Sequence, residues 1–241
     1  MKRGSLVCIS LVLIFTCFVP LVAQPSTKSI ETILVDSFDS ADNGEFTWEV
    51  QTSKFIAEGY PKMSYVEGIP NSLRPLRKAS DPTPMVLGVL TSFDRKGDNW
   101  FEVVPMKDGA PYEIPLIGKV AQLDFWAWGS NYVYDLEVLV RDADGRVHVI
   151  PAGKMTFNGW RNFVISIPGY IRQQSRLRSG PKNLTFVGFK VKSDPDEYVD
   201  NFAIYFDQLK YSTHTLHNIY DGFDLNVTDF DNATSSAGGE K

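Results

Sequence analysis

The sequence predicts an all-β fold, a β-sandwich of the jelly-roll kind with long loops, on three observations. Ten short segments between Ile30 and Tyr211 repeat with a period of two and stop at Gly, Pro, Asn or Asp. No stretch carries the 3.6-residue periodicity of a long amphipathic helix. Asp144-Gly145 lies between two alternating runs, the strongest short-range signal for a β-hairpin. Ten strands at that spacing fit two packed antiparallel sheets.

The strands are expected at residues 33–38, 46–51, 85–93, 99–106, 120–128, 132–141, 146–151, 161–167, 184–192 and 202–211. The first opens on Ile33-Leu34-Val35, and the next three are rich in Val, Phe and Trp, the residues that suit a pleated, half-buried surface. The run at 120–128 alternates Leu123, Phe125 and Ala127 with Asp124, Trp126 and Trp128, and Gly118 and Gly129 bound it. Pro168-Gly169 closes the run at 161–167, and Asp194-Pro195 separates the last two. One helical turn is predicted at 170–176.

Residues 53–119 are proline-rich and less periodic, and read as long loops between strands. Their most cationic part is Leu73-Arg74-Pro75-Leu76-Arg77-Lys78. The sandwich is expected to span 24–212, and 213–241 to form an acidic, partly disordered C-terminal tail.

A two-residue turn at Asp144-Gly145 would fix the hairpin register, with Ala143 facing Arg146, Asp142 facing Val147, and Val140 facing Val149. One side then carries Leu136, Val138, Val140, Val147 and Val149 as a core face. The other carries Glu137, Arg141 and His148 around Leu139 and Ile150.

The chain opens with Met1-Lys2-Arg3, runs almost purely apolar from Leu6 to Val22, and reaches the small-residue site Leu21-Val22-Ala23. This predicts a secretory signal peptide, residues 1–23, cleaved after Ala23 and leaving no membrane anchor. Ser10, Thr16 and Pro20 interrupt the run and no basic stop-transfer cluster follows, which weighs against a transmembrane helix. Thr16 precedes Cys17 where a lipidated cysteine usually follows Gly, Ala or Ser, so a lipid anchor is the lesser reading. Both cysteines, Cys8 and Cys17, lie in the leader, so the exported chain is expected to fold without disulfides. Its 218 residues suffice for one cored domain. With 22 basic against 29 acidic residues it is acidic, which argues against a nucleic-acid partner.

The motifs of catalysis are missing. There is no Gly-rich phosphate loop, no Gly-x-Ser-x-Gly elbow and no cysteine metal spacing. His214 and His217 would share a face only on a helix, and His148 lies on a strand. Asp142 and Asp144 resemble the start of a calcium loop but lack its downstream glutamate, and turn chemistry accounts for them better. A structural calcium drawing on Asp36, Asp39 or Asp207 stays open. Glu102, Glu113, Asp124 and Glu137 are candidates for a hydrolytic carboxylate pair, yet solvated acids on strand faces are common. Asn-x-Ser/Thr triplets begin at Asn183, Asn226 and Asn232. No enzyme activity, metal or cofactor is expected.

The alternation at 123–128 sets two indoles on the face away from the core. Each aromatic ring carries ~150–250 Å², worth several kcal/mol when covered at about 25 cal/mol per Å². A loop from 53–119, a sugar ring or another protein would supply that cover.

Phe157-Asn158-Gly159-Trp160-Arg161-Asn162-Phe163 and Ile167-Pro168-Gly169-Tyr170-Ile171-Arg172-Gln173 follow Leu123-Asp124-Phe125-Trp126-Ala127-Trp128-Gly129 and the hairpin. In this order, with Ile204-Tyr205-Phe206-Asp207-Gln208-Leu209, they resemble the spirochaete flagellar filament outer-layer (sheath) proteins over most of the exported chain. The resemblance implies a non-catalytic subunit of the periplasmic flagellum that coats a flagellin core beside other sheath proteins and affects filament stiffness, shape and motility. It supplies no contact residues. Burial and charge nominate Trp126 and Trp128, the loop residues Arg74, Arg77 and Lys78, and Arg172, Arg176 and Arg178 for partner contacts. The alternative is a secreted carbohydrate-binding module, which would use the same jelly roll and the same two tryptophans.

Overall fold

The computed structural model describes residues 28–41, 44–175 and 183–216. In chain order the strands are β1 (Lys28–Asp36), β2 (Thr47–Thr52), β3 (Lys62–Glu67), β4 (Met85–Thr91), β5 (Trp100–Lys107), β6 (Ala110–Pro111) and β7 (Ile114–Leu116). They continue as β8 (Lys119–Ser130), β9 (Tyr134–Arg141), β10 (Val147–Lys154), β11 (Asn158–Ser166), β12 (Leu184–Ser193) and β13 (Phe202–Leu216). A six-stranded antiparallel sheet has the order β11-β8-β13-β4-β3, with β1 also on β13. A seven-stranded sheet has the order β10-β9-β12-β5-β2, with β6 on β5 and β7 on β12. The fold is the expected all-β sandwich, and each of the ten predicted strands is present.

Aromatic rings from both sheets fill the space between them. Phe125 stacks on Phe163 with centroids 5.5 Å apart and meets Phe189 of the opposite sheet at 4.8 Å. Phe189 stacks on Phe206 at 4.4 Å and on Trp48 at 6.1 Å. All five rings are buried. The buried Trp48 still needs a partner for its indole N–H, and donates it to Asp36 Oδ2 at 2.9 Å. Asp36 Oδ1 accepts the Phe38 amide at 2.7 Å, so one carboxylate ties the end of β1 to the core of the other sheet.

Boundaries moved where pairing extended a strand. β1 starts at Lys28 and β13 runs on to Leu216, because each pairs with the other from Lys28↔Leu216 to Asp36↔Leu209. Three short strands within 53–119 were not legible as strands. Among the described residues β3 hydrogen-bonds only β4, from Lys62↔Leu90 to Glu67↔Met85, and as an edge strand it carries little apolar alternation.

The hairpin register differs from the expected one by a single residue. Asp142 and Arg146 close the turn through Asp142 N–H to Arg146 O at 2.9 Å, and Gly145 donates to Asp142 O at 2.9 Å. The loop therefore has three residues, with Gly145 at φ 94°, a position that favours glycine. The cause is the Asp142 side chain, whose Oδ1 accepts the amides of Asp144 at 3.0 Å and Arg146 at 2.8 Å. Val147 now pairs with Arg141 and Val149 with Leu139. A one-residue shift turns a strand over, so Val147 and Val149 are 45% and 48% exposed while Ile150 is buried.

No helix forms over the described part of 170–176. Ile171 N–H bonds Pro168 O at 3.0 Å, and the backbone then commits elsewhere. Arg172 O accepts the Ala143 amide at 2.8 Å, and the Gln173 side chain brackets both the N–H and C=O of Val120 at 2.7 and 2.8 Å. The signal peptide, its cleavage site and the tail beyond Leu216 lie outside the described residues.

Candidate functional site

The outer face of the six-stranded sheet collects aromatic side chains in one cross-strand row. Register sets Trp160 opposite Trp128, Trp128 opposite Tyr205, Tyr205 opposite Gly88 and Gly88 opposite Ser64. Cross-strand partners share a face, so the row runs over β11, β8, β13, β4 and β3. Trp128 and Tyr205 meet edge to face, with centroids 5.3 Å apart at 77°. A Cβ on Gly88 would come within 2.7 Å of Tyr205 Cε1, so the missing side chain is what lets this ring lie down on β4.

Trp126 sits one row along, opposite Asn162 and Asp207. Asn162 donates to Asp124 Oδ1 at 2.7 Å, and Lys210 reaches Asp124 Oδ2 at 3.6 Å. As expected, Leu123, Phe125 and Ala127 are buried, and Trp126 and Trp128 point the other way, partly in solvent. No loop from 53–119 removes them from water. Part of that region forms β3 and β4 and widens the same face. On β1, Ile30 and Leu34 lie opposite His214 and Lys210 and are 65% and 53% exposed.

The outer face of the seven-stranded sheet is charged instead. Lys190 pairs with Glu102 at 2.7 Å, Arg141 with Glu113 at 2.7 Å and Lys154 with Asp135 at 3.1 Å. The acids considered for hydrolysis are spread over both sheets. Glu102 and Glu137 flank Lys190 on this sheet, and Asp124 belongs to the other one.

The basic loop divides into one structural cation and two open ones. Arg77 bonds Asp39 Oδ1 at 3.2 Å and Pro82 O at 2.6 Å, so its charge is used within the chain. Arg74 and Lys78 are exposed and line an open cavity of about 580 Å³ with Glu67, Asp81 and Thr83. Between them a 3₁₀ turn, Arg74–Leu76, holds Leu76 77% exposed. Arg172 is exposed and reaches Asp144 Oδ2 at 3.3 Å. Arg176 and Arg178 lie outside the described residues, as does His217.

Asp36, Asp39 and Asp207 do come together, as the calcium reading required. Among the described residues, however, no group of three or more ligating side chains is arranged to hold a metal ion. Asp36 serves the Phe38 and Trp48 N–H groups, and Asp39 serves Arg77 and the Met85 amide. Asp207 is buried where β13 leaves β4 and takes up β1, at a bulge with Gln208 at φ 52°. Burial and then the Asp39 charge raise its carboxyl to about 7, against the opposing pull of the Gln208 amide and Arg77. The sequence marked these acids but not the role of Arg77 beside them.

His148 Nε2 lies 2.7 Å from Asp142 Oδ2. Burial works to raise the Asp142 carboxyl, but His148 and the two turn amides outweigh it and leave it below the usual carboxylate value. Both groups hold the hairpin.

Residues 29–219 match the family of flagellar filament outer layer proteins, FlaA. The chain belongs to this family. A flagellar filament outer layer-like protein of Brachyspira hyodysenteriae is 29% identical over 196 residues, spanning 80% of this chain and 84% of its own. A flagellar filament outer layer protein of Treponema pallidum is 28% identical over 102 residues, 39% of this chain and 29% of its own. Among solved structures, a carbohydrate-binding module in complex with β-1,4-galactotriose covers 76% of this chain and 99% of its own, at 15% identity and TM-score 0.42. A family 11 carbohydrate-binding module of a Clostridium thermocellum cellulosomal cellulase covers 80% and 99%, at 13% identity and TM-score 0.39.

Proposed function

We propose that this protein is a structural, non-catalytic subunit of the flagellar filament sheath, exported to the periplasm, where it coats the flagellin core and influences filament stiffness, shape and motility. The observation that carries the reading is the asymmetry of the sandwich in a chain of the FlaA family. One outer face is laddered with ion pairs and suits water, while the other presents Trp126, Trp128, Trp160, Tyr205, Leu34 and Ile30. Aromatic side chains gathered on one partly exposed face suit an interaction site, because aromatic residues are enriched at protein interfaces. The aromatic face is assigned to the flagellin core, and Arg74, Lys78 and Arg172 to acidic patches on neighbouring subunits. Arg77 contributes by fixing the loop that presents the other two.

Co-sedimentation with isolated core filaments tests this. The wild-type chain should pellet with the filaments, and the double variant Trp126→Ala, Trp128→Ala should stay in solution while keeping its all-β circular dichroism spectrum. A chain that ignores filaments but binds soluble oligosaccharides in calorimetry would overturn the reading in favour of a carbohydrate-binding module.

A further inference from the structure

At two borders of the six-stranded sheet a strand has a neighbour on one side only. Among the described residues β3 pairs only with β4, and β11 only with β8. The Gly68 amide bonds Pro84 O at 3.0 Å and continues the β3–β4 register, so the even-numbered residues of β3 bond β4. Met63, Tyr65 and Glu67 turn their N–H and C=O groups outward. Tyr65 O accepts the Ser64 hydroxyl at 3.3 Å and keeps a second lone pair. On β11 the bonds from Asn131 N–H to Phe157 O and from Ile167 N–H to Ala121 O, both 2.9 Å, bracket the register and give the odd-numbered residues to β8. Trp160, Asn162 and Val164 direct theirs outward. Open edges of this kind recruit another strand.

The two edges match. Every pairing from β11 through β8, β13 and β4 to β3 is antiparallel, which leaves β11 and β3 running in the same direction. On both strands the even-numbered residues share the outer face with Trp128, Tyr205 and Gly88. In a parallel pair a bonding residue straddles the two residues that flank its neighbour, so bonding residues alternate between the strands. Even on β11 and odd on β3 meets that condition with one common outer face. With Asn162 set beside Ser64, Lys62 falls beside Trp160 and Val66 beside Val164, which is 52% exposed. The outer pairs are then a cation on an indole, a hydroxyl on an amide and valine on valine. A hollow of about 210 Å³, lined by Lys62, Ser64, Val66, Gly88 and Tyr205, adjoins this edge.

We propose that β11 of one copy adds in parallel to β3 of the next, joining copies of this chain into one continuous sheet. Asn162 N–H donates to Met63 O and Tyr65 N–H to Asn162 O. Further along, Val164 N–H donates to Tyr65 O and Glu67 N–H to Val164 O. The Trp160 indole lies on Lys62 at the rim of the hollow. The occupant is a second copy, because opposite borders of one sheet do not meet within a molecule. Pairing β11 with β11 about its centre would instead set the Arg161 side chains of both copies side by side. The contact is heterologous and repeats from copy to copy. It keeps every aromatic face on the same side, and it does not rest on the filament reading.

Cysteine trapping tests it in solution, in the full chain with Cys8→Ser and Cys17→Ser replacing both native cysteines. Chains carrying Ser64→Cys are mixed with chains carrying Asn162→Cys and oxidised. The expected product is a mixed dimer linked between positions 64 and 162, identified by peptide mass spectrometry, with little dimer from either chain alone. Val164→Pro removes an outward amide that β8 does not use, and should lower the yield of mixed dimer about tenfold while the melting transition is retained. If Val164→Pro unfolds the chain, Val164→Lys, which sets a cation against Val66, should give a drop in its place. Absence of the mixed dimer, equal dimer from Asn162→Cys alone, or a yield unchanged in a folded Val164 variant overturns the proposal. Filament pelleting is a separate measurement, so the two readings fail independently.

Discussion

Tyr205 lies on Gly88: the ring of one fills the space that a side chain on the other would need, and its edge meets Trp128 5.3 Å away. The outer aromatic row is therefore built into the sheet at two levels, by register and by a missing Cβ. Gly88→Val should force Tyr205 off β4, at a cost of about 1–3 kcal/mol in chemical denaturation. The intrinsic tryptophan fluorescence should shift as Trp128 loses its neighbour. An unchanged spectrum and midpoint would show that Tyr205 does not rest there in solution.

Core and surface aromatics should separate cleanly. Phe189→Ala removes a ring that touches Phe125, Phe206 and Trp48 and should cost about 3–5 kcal/mol. Trp128→Ala should cost less in stability and more in filament co-sedimentation. Thermal melts and pelleting assays on the two variants check the ordering.

Asp207 should make the fold less stable as pH rises. Its folded value near 7 stands above the ~3.9 of an unfolded aspartate. Between those values the folded state holds the extra proton, so the free energy of unfolding falls with increasing pH and levels off above about 7. Asp207→Asn cannot ionise, so its stability relative to wild type should rise between pH 4 and pH 7. Urea midpoints for both chains at pH 5 and pH 8 measure it, and a constant difference would refute the assignment.

Asp142 works in the opposite direction. Its folded value is depressed, so its stabilisation is present above the unfolded aspartate value and disappears as pH falls through the folded one. Asp142→Ala should cost about 1–3 kcal/mol at pH 7, since the Asp144 and Arg146 amides and His148 all lose a partner. At pH 2 the difference between the two chains should shrink.

The basic loop offers an internal control. Arg74→Glu with Lys78→Glu should leave stability within about 0.5 kcal/mol, as for exposed positions generally, and should weaken pelleting. Arg77→Ala should lower stability, because Asp39 and Pro82 O lose their cation. Denaturation curves paired with sedimentation distinguish the two.

Strand identity was legible where a run has one wet and one dry face, as in 120–128, because two-residue periodicity is a local property. The hairpin register was not. Asp142, Asp144 and Gly145 were visible, but which backbone amides the Asp142 carboxylate would take decides between a two- and a three-residue loop, and composition does not encode that choice. β3 was hidden because, among the described residues, its pattern answers to one neighbour strand, β4. Of the contact candidates, Trp126 and Trp128 were legible from alternation. Trp160 and Tyr205 joined them only through cross-strand register, and the commitment of Arg77 to Asp39 bridges a sequence separation of 38.

The most direct test is a density map of isolated periplasmic filaments, with and without this chain. The account predicts a layer of sandwich-shaped density outside the flagellin core, lost in the deletion strain, with the Trp128 and Tyr205 face turned toward the core. A layer that persists unchanged without the chain, or a sandwich whose aromatic face points to solvent, would contradict it.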